Sequence, residues 1–202
     1  MNNTTLFDGV YYINLKYRTD RKEQIEKELN NFNIKYERFD AIKHDIGIIG
    51  CGLSHLAVLE KAKELNLKNV LIFEDDFEFI VDENTFWDEI NKFFNKNIDY
   101  DVVFPSYNLL ESQPYDDQLF KVISSQTASC YIVNEKYLDK LINTMKEGVL
   151  LLEQTGEHWN YANDQYWKKL QLNDNWYGFN IRMGKQRKSY SDCANTIMEY
   201  NC

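Results

Sequence analysis

Asn69-Val70-Leu71-Ile72-Phe73-Glu74-Asp75-Asp76 is the stretch on which the reading of the fold turns. Its four consecutive apolar side chains, branched or aromatic, have the pattern of a short strand buried on both faces, and the run stops at three carboxylates. Burying an ionised carboxylate is costly and adjacent ones repel, so the strand is expected to deliver all three to its carboxyl edge rather than into the core. In open α/β sheets ligands bind outside that edge, and clustered hard oxygen ligands there suit Mg²⁺ or Mn²⁺ holding a phosphate. An acidic turn that ends a strand and simply faces water has the same spacing, and spacing alone leaves both readings open.

Upstream of this stretch, Val10-Tyr11-Tyr12-Ile13-Asn14-Leu15 predicts a first central strand with a polar residue near its carboxyl end. Asp20 with Glu23 resembles a capping box, after which Ile25, Leu29 and Phe32 share one helical face. Arg18 and Arg21 fall between strand and helix, where they could meet an anionic ligand or be solvated. Lys35 to Phe39 alternates and predicts a second strand, with Asp40-Ala41 at its carboxyl end. Gly50-Cys51-Gly52 reads as a glycine-rich turn feeding a helix from Leu53 to Leu65. Its backbone N–H groups would be open to phosphate, although neither the dinucleotide nor the P-loop spacing is present. His55, one turn into that helix, has the position of a structural hydrogen-bonding residue as much as of a catalyst.

Downstream, Thr85 is expected to open a helix with Trp87, Ile90, Phe93 and Phe94 on its buried side, and Asp101 to Phe104 forms a strand stopped by Pro105. Tyr107 to Asp117 shows no period and reads as a loop. Lys121 to Ile123 and Ser129 to Val133 read as strands, and Asn134 caps an amphipathic helix carrying Tyr137, Leu138, Leu141, Ile142 and Met145. Trp159 to Gln165 places aromatics and Asp164 at the start of a short helix with Tyr166, Trp167 and Leu170. That composition suits a saccharide pocket, and equally a surface helix on an aromatic core. Trp176 to Ile181 predicts a last strand, and Lys185 to Lys188 is the basic cluster.

The chain has 202 residues, 44% of them hydrophobic and 15% aromatic, enough for one globular domain over residues 1–202 with a sizeable core. A formal charge of −9 argues against a general nucleic-acid binder, whose affinity comes from Lys and Arg against phosphates. Cys51, Cys130, Cys193 and Cys202 form no C-x-x-C pair, so neither a zinc site nor a disulfide framework is expected, and a reducing compartment is the simpler reading. Met1 to Thr5 shows no leader pattern and no window reaches the ~20 apolar residues of a membrane span, so a cytoplasmic protein with no integral membrane segment is expected.

Four pieces in this order resemble glycosyltransferase family 25, the lipooligosaccharide and procollagen galactosyltransferase group. They are Ile13-Asn14-Leu15 with Arg18 and Asp20-Arg21, then Gly50-Cys51-Gly52-Leu53-Ser54-His55, then Leu71 to Asp76, and Gln186 with Ser191-Asp192. The resemblance runs from about Tyr11 to about Ala194. It implies an α/β fold of GT-A type, with a mixed, mostly parallel central sheet flanked by helices, and a nucleotide-sugar donor with inversion at the anomeric carbon. Carried across by position, Asn14, Leu15, Arg18, Arg21, Ala41, Ser54, His55 and Gln186 would bind or adjoin the nucleotide sugar. Glu74-Asp75-Asp76 matches the acidic metal motif, with Asp76 on the metal and Asp75 toward the ribose. Asp164 matches a later acidic position and is the expected general base, with Asp192 its rival.

The chemistry then expected is a Mn²⁺- or Mg²⁺-dependent transfer of galactose, glucose or N-acetylglucosamine from a UDP-sugar to a glycan or glycoprotein hydroxyl. A non-catalytic or hydrolysis-only UDP-sugar-binding module on the same fold is the alternative. A receiver domain would place its acid pair after the first strand, and no Asp-x-Asp-x-Thr phosphatase motif occurs.

Overall fold

In the computed structural model, which describes residues 6–193 and 196–199, the acidic stretch ends the third strand of an eight-stranded mixed sheet. Met1 to Thr5, Ala194 and Cys202, on which parts of the sequence reading fall, lie outside the described residues. Strand β1 (Gly9–Asn14) is followed by helix α1 (Thr19–Asn31), β2 (Glu37–Asp40), α2 (Gly47–Glu64) and β3 (Asn69–Glu74). After the acidic turn come β4 (Phe77–Phe79), α3 (Glu83–Asn95), β5 (Val102–Phe104), β6 (Asn108–Pro114), β7 (Leu119–Gln126) and β8 (Cys130–Asn134). A 3-10 turn leads into α4 (Leu138–Thr155) and three short helices, α5 (His158–Tyr161), α6 (Asn163–Tyr166) and α7 (Lys168–Gln171). Strands β9 (Trp176–Phe179), β10 (Gly184–Gln186), β11 (Ser189–Ser191) and β12 (Thr196–Met198) complete the described chain.

The sheet order is β2-β1-β3-β8-β5-β9-β7-β6. Strands β7 and β8 run against the other six, so the expected α/β architecture with a mixed sheet and helices on its faces is what the chain forms. The sheet is not mostly parallel, however: β7 and β8 sit inside it and make four of its seven strand pairings antiparallel. Alternation along β3 explains the layering, because successive side chains leave a strand on opposite faces. Val70 and Ile72 join the cluster built with α2 and α4, whereas Leu71 and Phe73 join the one built with α1 and α3. All four are fully buried, and truncating one such as Ile72 to Ala carries a cost of about 2–5 kcal/mol. Phe77 returns to the same core as Phe73, ring centroids 5.0 Å apart, so the acidic turn is pinned between two buried aromatic anchors. No helix among the described residues is long and apolar enough to cross a membrane.

Four local expectations are corrected. The stretch read as a loop from Tyr107 contains β6, an edge strand paired antiparallel to β7. Most of it is exposed and two register shifts interrupt the ladder, so it shows no alternation to read. Helix α2 begins at Gly47, so Gly50-Cys51-Gly52 lies inside the helix rather than in a turn before it. A Cβ on Gly50 would stand 2.7 Å from the Ile42 carbonyl oxygen, so this glycine serves close approach of the preceding loop. The Asp20–Glu23 capping box does not form: Arg18 is the N-cap of α1 without a side-chain cap, and its guanidinium donates to both Asp20 oxygens at 3.0 and 2.9 Å. Helix α3 opens at Glu83, before Thr85, with Asp82 capping through the Thr85 N–H at 2.9 Å. Asn134 does cap, accepting from the Lys136 N–H at 3.2 Å one turn ahead of α4.

Candidate active site

A cleft of about 1060 Å³ opens at the carboxyl edge of β1, β2 and β3 and runs past the start of α2 to α5, α6 and residues 191–193. Asp75 and Asp76 line it and are only 7% and 8% exposed, so neither simply faces water. What makes their burial tolerable is Arg21, from the first turn of α1, whose Nη1 lies 2.8 Å from Asp75 Oδ1 and 3.1 Å from Asp76 Oδ2. Asn14, at the end of β1, donates to Asp75 Oδ2 at 2.7 Å, so both Asp75 oxygens are engaged. Burial raises the Asp75 pKa, and burial with the Glu74 charge beside it pushes Asp76 up to about 7. Asp76 Oδ1 is buried with no hydrogen-bond partner among the described residues.

Glu74 points elsewhere. Its Oε1 meets His55 Nε2 at 3.1 Å and accepts from Cys51 Sγ at 3.7 Å, while its Oε2 accepts from Gln186 Nε2 at 3.1 Å. Burial alone would raise its pKa, but the hydrogen bond and charge of His55 outweigh that and hold it below the usual carboxylate range. His55 is anchored from behind by Tyr131, Nδ1 to hydroxyl 3.0 Å. The Ser54 hydroxyl accepts the Ile42 N–H at 2.8 Å and donates to the Gly50 carbonyl at 2.6 Å, fixing the loop between β2 and α2. Leu15 and Ala41 line the cleft at the strand ends, with the Ala41 N–H donating to the Asn14 carbonyl at 3.0 Å.

On the opposite wall, Asp164 in the first turn of α6 accepts the Thr127 N–H at 3.1 Å, and burial raises its pKa. Thr127 has φ of 73°, the left-handed region that a β-branched residue enters only at a cost of about 1–3 kcal/mol. Its hydroxyl donates to Gln186 Oε1 at 2.9 Å, so Gln186 bridges Thr127 to Glu74. Asp192 also lines the cleft, but its oxygens are taken by the Tyr17 hydroxyl at 2.9 Å and by Arg18. Asn14 and Arg18 are not on the cleft wall: Asn14 stands behind Asp75, and Arg18 joins Asp20, Asp192 and the Tyr190 carbonyl. Arg21 reaches the same segment through Ser189 Oγ at 2.7 Å and the Tyr190 carbonyl at 2.8 Å.

The three acids of the motif therefore diverge, and among them the donor set fits a hard divalent ion at Asp76. Asp76 lines the cleft and has one buried carboxylate oxygen without a hydrogen-bond partner among the described residues, a donor that would leave most of the coordination shell of a Mg²⁺ or Mn²⁺ ion to phosphate and water. Sequence reasoning did not single out Cys51 as a side chain, Tyr131 as the support of His55, or Thr127 as the donor to Asp164. Tyr131 and Thr127 act through contacts 76 and 37 residues away in the chain, which leave no local pattern.

Residues 7–47 and 46–159 match the sequence profile described as glycosyltransferase family 25 (LPS biosynthesis protein). The chain is 31% identical over 101 residues to procollagen galactosyltransferase 1-A of Xenopus laevis, covering 36% of this chain and 16% of that protein. It is 30% identical over 98 residues to a glycosyltransferase 25 family member of Anopheles gambiae, covering 35% of this chain and 17% of that protein. The chain thus spans under a fifth of the length of these two relatives. The crystal structure of a glycosyltransferase involved in the glycosylation of the major capsid of PBCV-1 aligns with 92% of this chain and 84% of its own, with a TM-score of 0.45 at 11% identity.

Proposed function

The chain belongs to glycosyltransferase family 25, and on that footing we propose that it is a metal-dependent inverting transferase moving a hexose from a UDP-sugar to a hydroxyl of a glycan or glycoprotein. Residues 1–202 would form one GT-A-type catalytic domain. The observation that carries this reading is Asp76, a buried carboxylate with one oxygen unpartnered among the described residues, lining a cleft large enough for a nucleotide sugar.

Asp76 would hold Mn²⁺ or Mg²⁺, and the ion would supply positive charge to the diphosphate as the bond between C1 and the phosphate oxygen breaks. Arg21 adds a fixed cation behind the same place and, with Asn14, locks Asp75 in one orientation, suited to accept from ribose hydroxyls. Leu15 and Ala41 form the floor under the nucleotide, while Ser54, His55 and Gln186 hold the wall on which Glu74 is set. Arg18 positions the segment around Tyr190 and Asp192 instead of touching the donor.

A sugar hydroxyl is a poor nucleophile at neutral pH, so a carboxylate within hydrogen-bond reach must take its proton as the new bond forms. Asp164 suits that task better than Asp192. Burial raises its proton affinity and the Thr127 N–H orients one oxygen, whereas both Asp192 oxygens are already engaged by Tyr17 and Arg18. Trp159, 61% exposed on the cleft, offers an aromatic face on which an acceptor sugar can lie. A thermal-shift panel of UDP-, GDP- and CMP-sugars with and without Mn²⁺ tests the reading. A UDP-sugar should raise the melting temperature only when metal is present, and stabilisation by none of the panel would contradict it.

A further inference from the structure

We propose that Cys51, His55 and Glu74 form a soft-metal site that takes Zn²⁺, separate from the hard-oxygen position at Asp76. Cys51 and His55 lie four residues apart on α2 and so project from one face of the helix toward the end of β3. Their ligand atoms and a Glu74 oxygen all lie within 4.8 Å of one another. The His55 Nε2 to Glu74 Oε1 separation is 3.1 Å and the Cys51 Sγ to Oε1 separation is 3.7 Å. With Zn–N and Zn–O near 2.0–2.2 Å and Zn–S near 2.3 Å, the corresponding edges of a tetrahedron are about 3.4 and about 3.5 Å. Two of the three ligand separations therefore stand within a few tenths of an ångström of those edges, and the third, between Cys51 and His55, is within 4.8 Å.

Second-neighbour contacts favour the same outcome. The Tyr131 hydroxyl engages His55 Nδ1 and leaves Nε2 for the cation, and Gln186 holds the other Glu74 oxygen, the kind of support that fixes metal ligands in orientation. His55 is 1% exposed and Tyr131 is fully buried, so the imidazole is held in place before any ion arrives. A thiolate, an imidazole and one carboxylate select Zn²⁺ over Mg²⁺ or Mn²⁺, which prefer oxygen alone. Without a cation the same spacings make an ordinary hydrogen-bonded trio, and the experiment distinguishes the two.

The reduced 202-residue chain is titrated with Co²⁺ as a spectroscopic stand-in for Zn²⁺. One equivalent should produce the near-ultraviolet absorption of a cobalt–thiolate bond, displaced by one equivalent of Zn²⁺ and not by Mg²⁺ or Mn²⁺. Cys51→Ser should abolish the band and His55→Asn weaken Zn²⁺ binding by about tenfold or more, with both variants keeping the wild-type circular dichroism. Asp76→Ala should leave the band intact, which separates this site from the donor-binding reading. The absence of a band in the wild type, or a band that survives Cys51→Ser and disappears in Cys193→Ser, would overturn the proposal.

Discussion

Arg21 donates through Nη1 to Asp75 Oδ1 at 2.8 Å, joining the first turn of α1 to the acid that follows β3. Both side chains are about 10% exposed, and the same guanidinium nitrogen also faces Asp76. One cation therefore makes two buried carboxylates tolerable at the end of an otherwise apolar strand. The consequences below follow from that arrangement and from the groups around it.

Replacing Arg21 by Gln leaves both acids without their counter-charge. Loss of one partner of a buried pair typically costs about 3–5 kcal/mol, and urea unfolding of the metal-free variant at pH 8 should show a loss of that order. Part of it should return at pH 6, because Asp76, whose pKa is already raised by burial and is freed from the lowering effect of Arg21 in this variant, takes up a proton. A change under about 1 kcal/mol at pH 8 would show that the acids are solvated rather than buried.

The raised pKa of Asp76 gives stability a definite sign with pH. In the metal-free protein Asp76 is protonated up to about 7, whereas an unfolded Asp ionises near ~3.9, so the native state holds the extra proton between those values. Stability from this group is present at the acid end and is lost as pH rises through 7. Asp76→Asn should accordingly raise the melting temperature, by an amount that grows from about pH 4 to 7 and then levels off. Mn²⁺, which needs the ionised form, should bind the wild type roughly tenfold more tightly at pH 8 than at pH 6. A flat profile in both measurements would contradict the assignment.

The outline of this fold was legible where one physical constraint dominated. Val70 to Phe73 could only be a doubly buried strand, and the carboxylates after it could only be tolerated at its end. Strand β6 was not legible because an exposed edge strand buries no face and so has no alternation to show. The start of α2 was misplaced because Gly50 answers to the Ile42 backbone and Gly52 to the Val149 side chain, tertiary causes that mimic a turn signal. In the site, the acids themselves stood out, but Thr127 with its left-handed backbone and Tyr131 behind His55 depend on distant partners, so although the stretch from Thr127 to Val133 resembles the family, nothing local gave either side chain a role.

Gly50 supplies a test of that tertiary cause. In a helix interior Ala is favoured over Gly by about 1 kcal/mol, so propensity alone makes Gly50→Ala stabilising. The added Cβ would lie 2.7 Å from the Ile42 carbonyl oxygen, and overpacking against backbone costs about 1–3 kcal/mol. Chemical denaturation should therefore report net destabilisation. A gain would mean that the loop from β2 to α2 is free to move away.

Asp164→Asn separates base from binder. Loss of a general base lowers turnover by about 10²–10⁴-fold, and kcat should fall in that range while UDP affinity stays within about twofold. Asp192→Asn, which loosens the contacts with Arg18 and Tyr17, should reduce turnover far less. Equal losses in the two variants would remove the distinction drawn between them.

The most direct test of the account is calorimetric titration of UDP into wild type and Asp76→Ala, each with and without Mn²⁺. Binding that requires Mn²⁺ in the wild type and is abolished by the substitution is the expected result. UDP affinity that is independent of the metal, or that survives loss of Asp76, would contradict the claim that this carboxylate holds the ion on which the donor rests.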